Sequence, residues 1–548
     1  MAARDRDDTG ILLGGMQAWG LTIDRVLAHA EAVHPQRSVV TRTAEGELRS
    51  TDYAGVAAQA RALARSLARV GVRRGDRVAM IAWTGDRHMA LWYAVSAYGA
   101  VSHPINPRFS PDQIAWIVGH AGDRLMFLDS TFVPLVEALQ DRLPGIERFV
   151  LLADEVDMPA TGLRGAISYE AFLALGEGEA DLAPGGFDEN AACALFYTSG
   201  TTGDPKGVLY SHRSNVLHAM MLSPALNLTS HDVMMPVVPM FHANGWGLPY
   251  ACPMVGAAMV MPGAALDPAS LHALMEAQGV TITAGVPTLW QSLLQHMKDT
   301  GARFSTLRTI LVAGSAAPRA LLTEYRERFG VEVRHLWGMT ETSPCGTANP
   351  LPPQGQDHDV EAAVRGELRQ GRNPFGLEMR VANEAGAWLP HDGRSAGRLM
   401  VRGAAVVERY FRGERPAIDA EGWFDTGDVA TIHPDHVMQI TDRAKDLIKS
   451  GGEWISSIAI EDAAALHPAT ALCAVIAMPH AKWGERPLLA VKLKSGASGQ
   501  AADYLTFLEG KIAKWWMPDE VVFIEDMPLG ATGKVDKKAL RARLVPQG

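Results

Sequence analysis

Residues 197–208 read Tyr-Thr-Ser-Gly-Thr-Thr-Gly-Asp-Pro-Lys-Gly-Val, directly after the apolar run at 192–196. Seven of these twelve residues are Gly, Ser or Thr, and one lysine, Lys206, follows them. A packed core has no use for that composition, whereas a phosphate chain does. Glycines let a backbone approach a ligand, hydroxyls and N–H groups donate to phosphate oxygens, and an ammonium adds a point charge. The spacing is not that of a Walker loop, which needs Gly-Lys followed by Ser or Thr. Here Gly207 follows Lys206. Clusters of this composition are most often plain surface loops. What lies on either side sets this one apart.

Outward from the loop, strand-like and helix-like patterns alternate over the first 440 or so residues. Val56, Leu63, Leu67 and Val70 fall on one face of a helix that Gly71 closes. Short apolar runs at 77–83, 282–285, 310–312 and 331–335 read as strands, with helices between them. Such alternation implies α/β layers with largely parallel sheets, whose ligands sit beyond the carboxyl ends of strands. The 197–208 loop, Gly314-Ser-Ala-Ala-Pro and Trp337-Gly-Met-Thr-Glu all stand at strand ends. After Asp442 the style changes to a basic, glycine-containing stretch, a short helix, and further strands and helices. That is enough for a small α+β domain. The expected fold class is α/β: a large N-terminal domain of layered sheets over residues 1–442, and a small mobile C-terminal α+β domain over 443–548.

At 548 residues two or three domains are expected. A net charge of −10 without a Lys/Arg block speaks against nucleic acid as a partner. Four cysteines (Cys193, Cys252, Cys345, Cys473) lie without metal-ligand spacing. This suits a reducing, cytoplasmic compartment and neither a disulfide frame nor a zinc site. The charged N-terminus lacks the apolar run of a signal peptide. Residues 233–266 carry no Lys, Arg, Asp or Glu, but five prolines interrupt them. An interior helical proline costs about 3 kcal/mol. The reading is therefore buried strands and turns lining an apolar cavity, with no transmembrane segment. His242 and Trp246 are candidates for its wall.

Taken together, and in this order, the motifs resemble the adenylate-forming superfamily. Its members are acyl-CoA synthetases, peptide-synthetase adenylation domains and beetle luciferases. The fatty-acyl branch looks most similar, through Phe241-His-Ala-Asn-Gly-Trp and Asp446-Leu-Ile-Lys-Ser-Gly-Gly-Glu-Trp-Ile-Ser. The resemblance implies an ATP-dependent ligase that joins an apolar carboxylic acid to AMP and then to coenzyme A. Medium- to long-chain fatty acids come first, then aryl- or methylthio-alkanoates. A stand-alone enzyme loading a carrier protein is a further alternative. The same resemblance implies residue roles. Thr198, Ser199, Gly200, Thr201, Thr202, Gly203 and Lys206 would grip the β- and γ-phosphates. Thr340 would meet the α-phosphate, and Glu341 would hold Mg²⁺ with Thr201 nearby. Gly314, Ser315 and Ala316 would pack on adenine, and Trp337, Gly338 and Met339 would also bind ATP or AMP. Asp428 and Arg443 would bind the ribose. Lys534 would bridge the acid and the α-phosphate. His242 and Trp246 would line the acyl pocket, and Lys445 would be a hinge. Ser450, Gly451, Gly452 and Trp454 would meet coenzyme A. By analogy with the long-chain branch, a homodimer is possible. Peptide-synthetase domains carry an acid after the phenylalanine to pair with an ammonium. Here His242 follows Phe241, which favours an apolar acid. Lys537 and Lys538 read as ordinary tail lysines.

Overall fold

The structure, a computed structural model, describes residues 14–198, 204–349, 360–443, 445–451, 453–530 and 535–545. Among them the strands form four sheets. In the eight-stranded sheet, Ser38–Arg42, Ala258–Met261, Val233–Pro236, Ile282–Gly285, Thr309–Val312 and Glu332–Gly338 run parallel. An antiparallel strand closes each edge. In the seven-stranded sheet, Arg77–Ile81, Val101–Pro104, Leu125–Leu128 and Arg148–Leu151 are parallel. Ala192–Thr198 joins that run and turns back on itself as Lys206–Ser211. The central strands of both sheets are almost wholly buried aliphatic runs, as sheets covered by helices on both faces require.

The helix Asp86–Tyr98 lies deep in the molecule, with eleven of its residues buried. A helix buried on all sides reads as apolar all round, and this one does so from Met89 to Val95, after a polar first turn of Asp86, Arg87 and His88. Its Trp92 ring packs 5.9 Å from Phe196 of the Ala192–Thr198 strand and 5.8 Å from Tyr250. That contact ties this strand to the segment that walls the apolar side of the cavity. The expected helix at 53–70 is present as Tyr53–Arg69, with Asp52 capping it through Gly55 N–H at 2.8 Å.

The segment 233–266 departs from the expectation of strands and turns alone. Leu248–Val255 is a helix despite Pro249 and Pro253. Pro249 sits in the first turn, where a missing N–H costs nothing. Pro253 leaves the Pro249 carbonyl without its helical donor, and the Tyr93 hydroxyl supplies one at 2.7 Å. A donor from a different helix thus repairs a break that local sequence rules predict.

Downstream, Leu377–Ala382, Gly397–Gly403, Phe424–Ile432 and Met438–Arg443 form an antiparallel sheet of four strands. The C-terminal unit is α+β. It has a five-stranded sheet centred on Gly484–Leu493, with helices Ser457–Ala465 and Ala501–Leu508 over its own core of Ile460, Leu489 and Tyr504. Lys537 is not the tail lysine expected. Its ammonium lies 2.7 Å from Glu461 and donates to Ser457 Oγ at 2.6 Å. Ser457 N–H in turn donates to Asp442, where the two styles of sequence meet.

His88, His218 and His335 are at most 3% exposed, and burial pushes each down to about 4. An unfolded chain binds protons at these sites between pH 4 and 6.5 that the folded chain refuses. The stability these three sites contribute is therefore complete above about pH 6.5 and declines as pH falls through that window. Each histidine should cost on the order of 2 kcal/mol of stability at pH 5. His88→Gln should recover about that much of the loss between pH 7 and 5 in urea titrations. Equal pH slopes in variant and parent would contradict this account.

Candidate active site

Thr198 and Lys206 face each other as the last paired residues of the Ala192–Thr198 and Lys206–Ser211 hairpin. The glycine- and hydroxyl-rich residues 199–203 fall in sequence between these two strand ends. Ser199, Gly200, Thr201, Thr202 and Gly203 lie outside the described residues. Thr198 and Lys206 both line a cavity of about 620 Å³. The Lys206 ammonium stands 4.9 Å from the centroid of the Tyr410 ring. Tyr410 donates its hydroxyl to Glu341 Oε1 at 3.0 Å.

Glu341 is only 7% exposed. Burial pushes its carboxyl above the ordinary range, while the Tyr410 hydroxyl and the Lys206 charge pull it back. The backbone reinforces this contact. Val407 N–H donates to Glu341 O at 2.8 Å, and Phe411 N–H to Gly207 O at 2.7 Å. Tyr210, on the second hairpin strand, donates to Thr340 O at 2.5 Å. The Lys206–Ser211 strand, the Thr340–Thr342 turn and the 407–411 segment are thus bonded into one unit. Gly338 is the only residue type that fits before this turn, because a Cβ there would lie 2.0 Å from Pro344 O.

Trp337 and Asp428 meet directly: the indole Nε1–H donates to Asp428 Oδ2 at 2.8 Å. Arg443 pairs with Asp428 in strand register and brings its Nε to 3.6 Å from Oδ1. Gly314, Ser315 and Ala316 line the cavity after the Thr309–Val312 strand, as do Trp337, Gly338, Met339, Thr340 and Lys445. Behind them His335, held neutral by burial, has Nε2 at 3.2 Å from the Ser315 carbonyl. Gln370 donates to its Nδ1 at 3.2 Å and accepts from Ile440 N–H at 2.6 Å.

His242 and Trp246 line the same cavity on the apolar side. Trp246 belongs to the turn Ala243–Gly247, in which five consecutive residues have φ between +42° and +74°. Left-handed backbone costs about 1–2 kcal/mol for each residue with a side chain. Gly247 has no alternative, since a Cβ would lie 2.6 Å from His218 Nδ1. His218 is fixed in turn by Cys345 N–H, which donates to its Nε2 at 3.0 Å. Leu222, Leu226, Leu311 and Leu336 complete this wall. Behind Leu226, the buried Arg334 guanidinium donates to the Ala225, Leu226 and Asn349 carbonyls and closes the floor.

Some expected residues are not gathered here. Ser450 and Gly451 do not line the cavity; Ser450 Oγ is bonded by Arg486 and Gly451 N–H by the Trp483 carbonyl. Gly452, Lys534 and the Trp454 side chain lie outside the described residues. Conversely, sequence reasoning missed Tyr410, His335 and Gln370. Tyr410 left one clue, a phenol between Arg409 and Phe411-Arg412 in an otherwise unpatterned stretch.

Comparison with known proteins then decides the family. The pattern described as AMP-binding enzyme matches residues 27–411, and that of the AMP-binding enzyme C-terminal domain matches 459–534. The chain belongs to the AMP-binding enzyme family. It is 44% identical to the 3-methylmercaptopropionyl-CoA ligase of Ruegeria lacuscaerulensis, over 97% of this chain and 98% of that one. It is also 44% identical to the medium-chain-fatty-acid–CoA ligase of Ectopseudomonas oleovorans, over 97% of both. A solved anthranilate CoA ligase in complex with anthranoyl-AMP superposes with a TM-score of 0.85 at 24% identity. It covers 96% of this chain and 98% of that one. The enzyme is an AMP-forming acid–thiol ligase with ATP and coenzyme A as substrates. Among the described residues, no helix is long and apolar enough to cross a membrane.

Tyr410→Phe removes one hydrogen bond to a buried charge, an interaction of about 1.5–3 kcal/mol. ATP–pyrophosphate exchange should fall about ten- to hundredfold while the KM for the acid stays unchanged. Exchange at the parental rate would show that Glu341 does not depend on this phenol.

Proposed function

We propose that the enzyme activates an apolar carboxylic acid, medium-chain fatty acids foremost, to its CoA thioester. The observation that carries this reading is that one cavity is polar at one end and apolar at the other. The polar end presents Lys206, Glu341, Asp428 and Arg443; the apolar end presents Trp246 and the leucine wall. The acid's carboxylate attacks the α-phosphorus of ATP. One P–O bond forms, the bond to pyrophosphate breaks, and acyl-AMP results. The coenzyme A thiolate then attacks the acyl carbon and AMP leaves. Neither step needs a covalent link to the protein.

The residues divide this work. Lys206 and the phosphate loop offset charge on the β- and γ-phosphates. Asp428 and Arg443 hold the ribose, and Gly314, Ser315 and Ala316 form the adenine face. His242 stands where the acid's carboxylate and apolar chain meet. Lys534 brings a cation to the attacking carboxylate and the α-phosphate. Such a contact is worth about 3 kcal/mol in the transition state. Among the described residues, no group of three or more His, Cys, Asp or Glu side chains is arranged to hold a metal by itself. A single buried carboxylate beside phosphate oxygens nevertheless fits Mg²⁺, which commonly takes one or two carboxylates plus substrate phosphates. Glu341 would be that carboxylate, with Thr201, outside the described residues, as a second contact. The ion would supply neutralisation of phosphate charge there.

The same proposal divides the chain after Asp442, with Lys445 as a hinge. Rotation of the C-terminal unit exchanges Lys534 for Ser450, Gly451, Gly452 and Trp454 between the two steps. A cytoplasmic, homodimeric enzyme belongs to it as well. A methylthio-alkanoate is the second reading, favoured by the relative of equal identity named for 3-methylmercaptopropionate.

Octanoate should exceed acetate by at least about tenfold in kcat/KM for AMP release with CoA present. Acetate used as well as octanoate would remove the apolar-acid reading. A panel including 3-(methylthio)propionate and phenylpropionate separates the alternatives. Lys534→Ala should abolish most pyrophosphate exchange, and Lys445→Pro should spare exchange while stopping thioester formation. Equal loss of both half-reactions in Lys445→Pro would contradict the hinge.

A further inference from the structure

We propose that Trp337 is a positioning residue. Its indole N–H sets the orientation of the Asp428 carboxylate and so enforces selection of nucleotides that carry both ribose hydroxyls. This rests on the reading of Asp428 as the ribose acceptor. An ionised carboxylate accepts through two oxygens with about four lone-pair directions. Its terminal torsion is intrinsically broad, so something must hold it. The Asp428 backbone is fixed by its N–H donating to Thr426 Oγ1 at 3.1 Å, but that bond leaves the carboxylate free to turn. Arg443 approaches Oδ1 only to 3.6 Å, and its side chain is 46% exposed. Water screens such a pair and weakens its grip. The bond from Trp337 to Oδ2 is short, at 2.8 Å, and only 14% of the Asp428 side chain is exposed.

The indole is itself immobile. Trp337 is 7% exposed, and a Cβ on Gly346 would lie 2.4 Å from its ring. The ring therefore lies against bare backbone of the neighbouring strand Cys345–Ala348, and the direction of its N–H is dictated by that hairpin. An indole nitrogen can only donate. With one lone pair taken by Trp337 and one facing Arg443, two remain, the number a vicinal diol requires. Without the indole donor the carboxylate can rotate, and it loses its preference for a diol over a single hydroxyl.

The test compares kcat/KM for ATP with that for 2′-deoxyATP in pyrophosphate exchange. Trp337→Phe removes the donor but also trims the ring. A second variant therefore carries 3-benzothienylalanine at 337, which keeps the bicyclic shape and lacks the N–H. Both should lower the ATP/2′-deoxyATP ratio at least about tenfold, raise the KM for ATP and leave the KM for the acid unchanged. Asp428→Asn, run alongside, should also collapse the ratio. If it does while the benzothienyl variant keeps the parental ratio, the positioning role is overturned and the ribose reading stands. If Asp428→Asn keeps full discrimination, or the parent has none, the ribose reading fails and this inference falls with it.

Discussion

At the nucleotide end, the Glu341 carboxylate is kept almost entirely from water. A buried charge left without partners is among the most destabilising features a fold can carry. Here the phenol of Tyr410 reaches one oxygen, the ammonium of Lys206 stands over that phenol's ring, and the Val407 N–H binds the main chain beside it. Satisfying this one group brings together segments about 70 and 130 residues away in sequence. The same contacts bring Lys206 and the Thr340 turn to a common space. Stability and site geometry are, at this point, one requirement.

The apolar end obeys a different constraint. Its wall is built from backbone that is out of its preferred conformation, Ala243–Gly247, stacked on His218 and abutting a helix with a proline inside it. Each irregularity is offset from outside the segment. Tyr93 replaces the donor that Pro253 lacks, and Cys345 N–H pins His218. Both helpers come from elements far away in the chain, so the wall exists only once the two large sheets are assembled.

That explains what could be read from the sequence. The helix Tyr53–Arg69 and the parallel strands Ile282–Gly285 and Thr309–Val312 carry their own periodicity, and they were visible. The phosphate loop, the Thr340 turn and the Asp428 strand carry composition or motifs that survive without any partner. The helix Leu248–Val255 was hidden because its repair comes from Tyr93. Tyr410, His335 and Gln370 were hidden because each acts through bonds to residues distant in sequence. Lys537 looked like any lysine near a terminus, although it bonds Glu461 and Ser457 in the C-terminal unit.

The left-handed turn has a consequence for how such enzymes diverge. A ceiling made of strained main chain over an imidazole tolerates almost no exchange of residues, because Gly247 has no room for even a methyl group. The same wall also contains ordinary leucines, Leu222, Leu226, Leu311 and Leu336, none of which stands on left-handed backbone. Acceptance of a longer, bulkier or shorter acid is thus free to drift through the leucines, with the turn serving as a fixed template against which new cargoes are gauged.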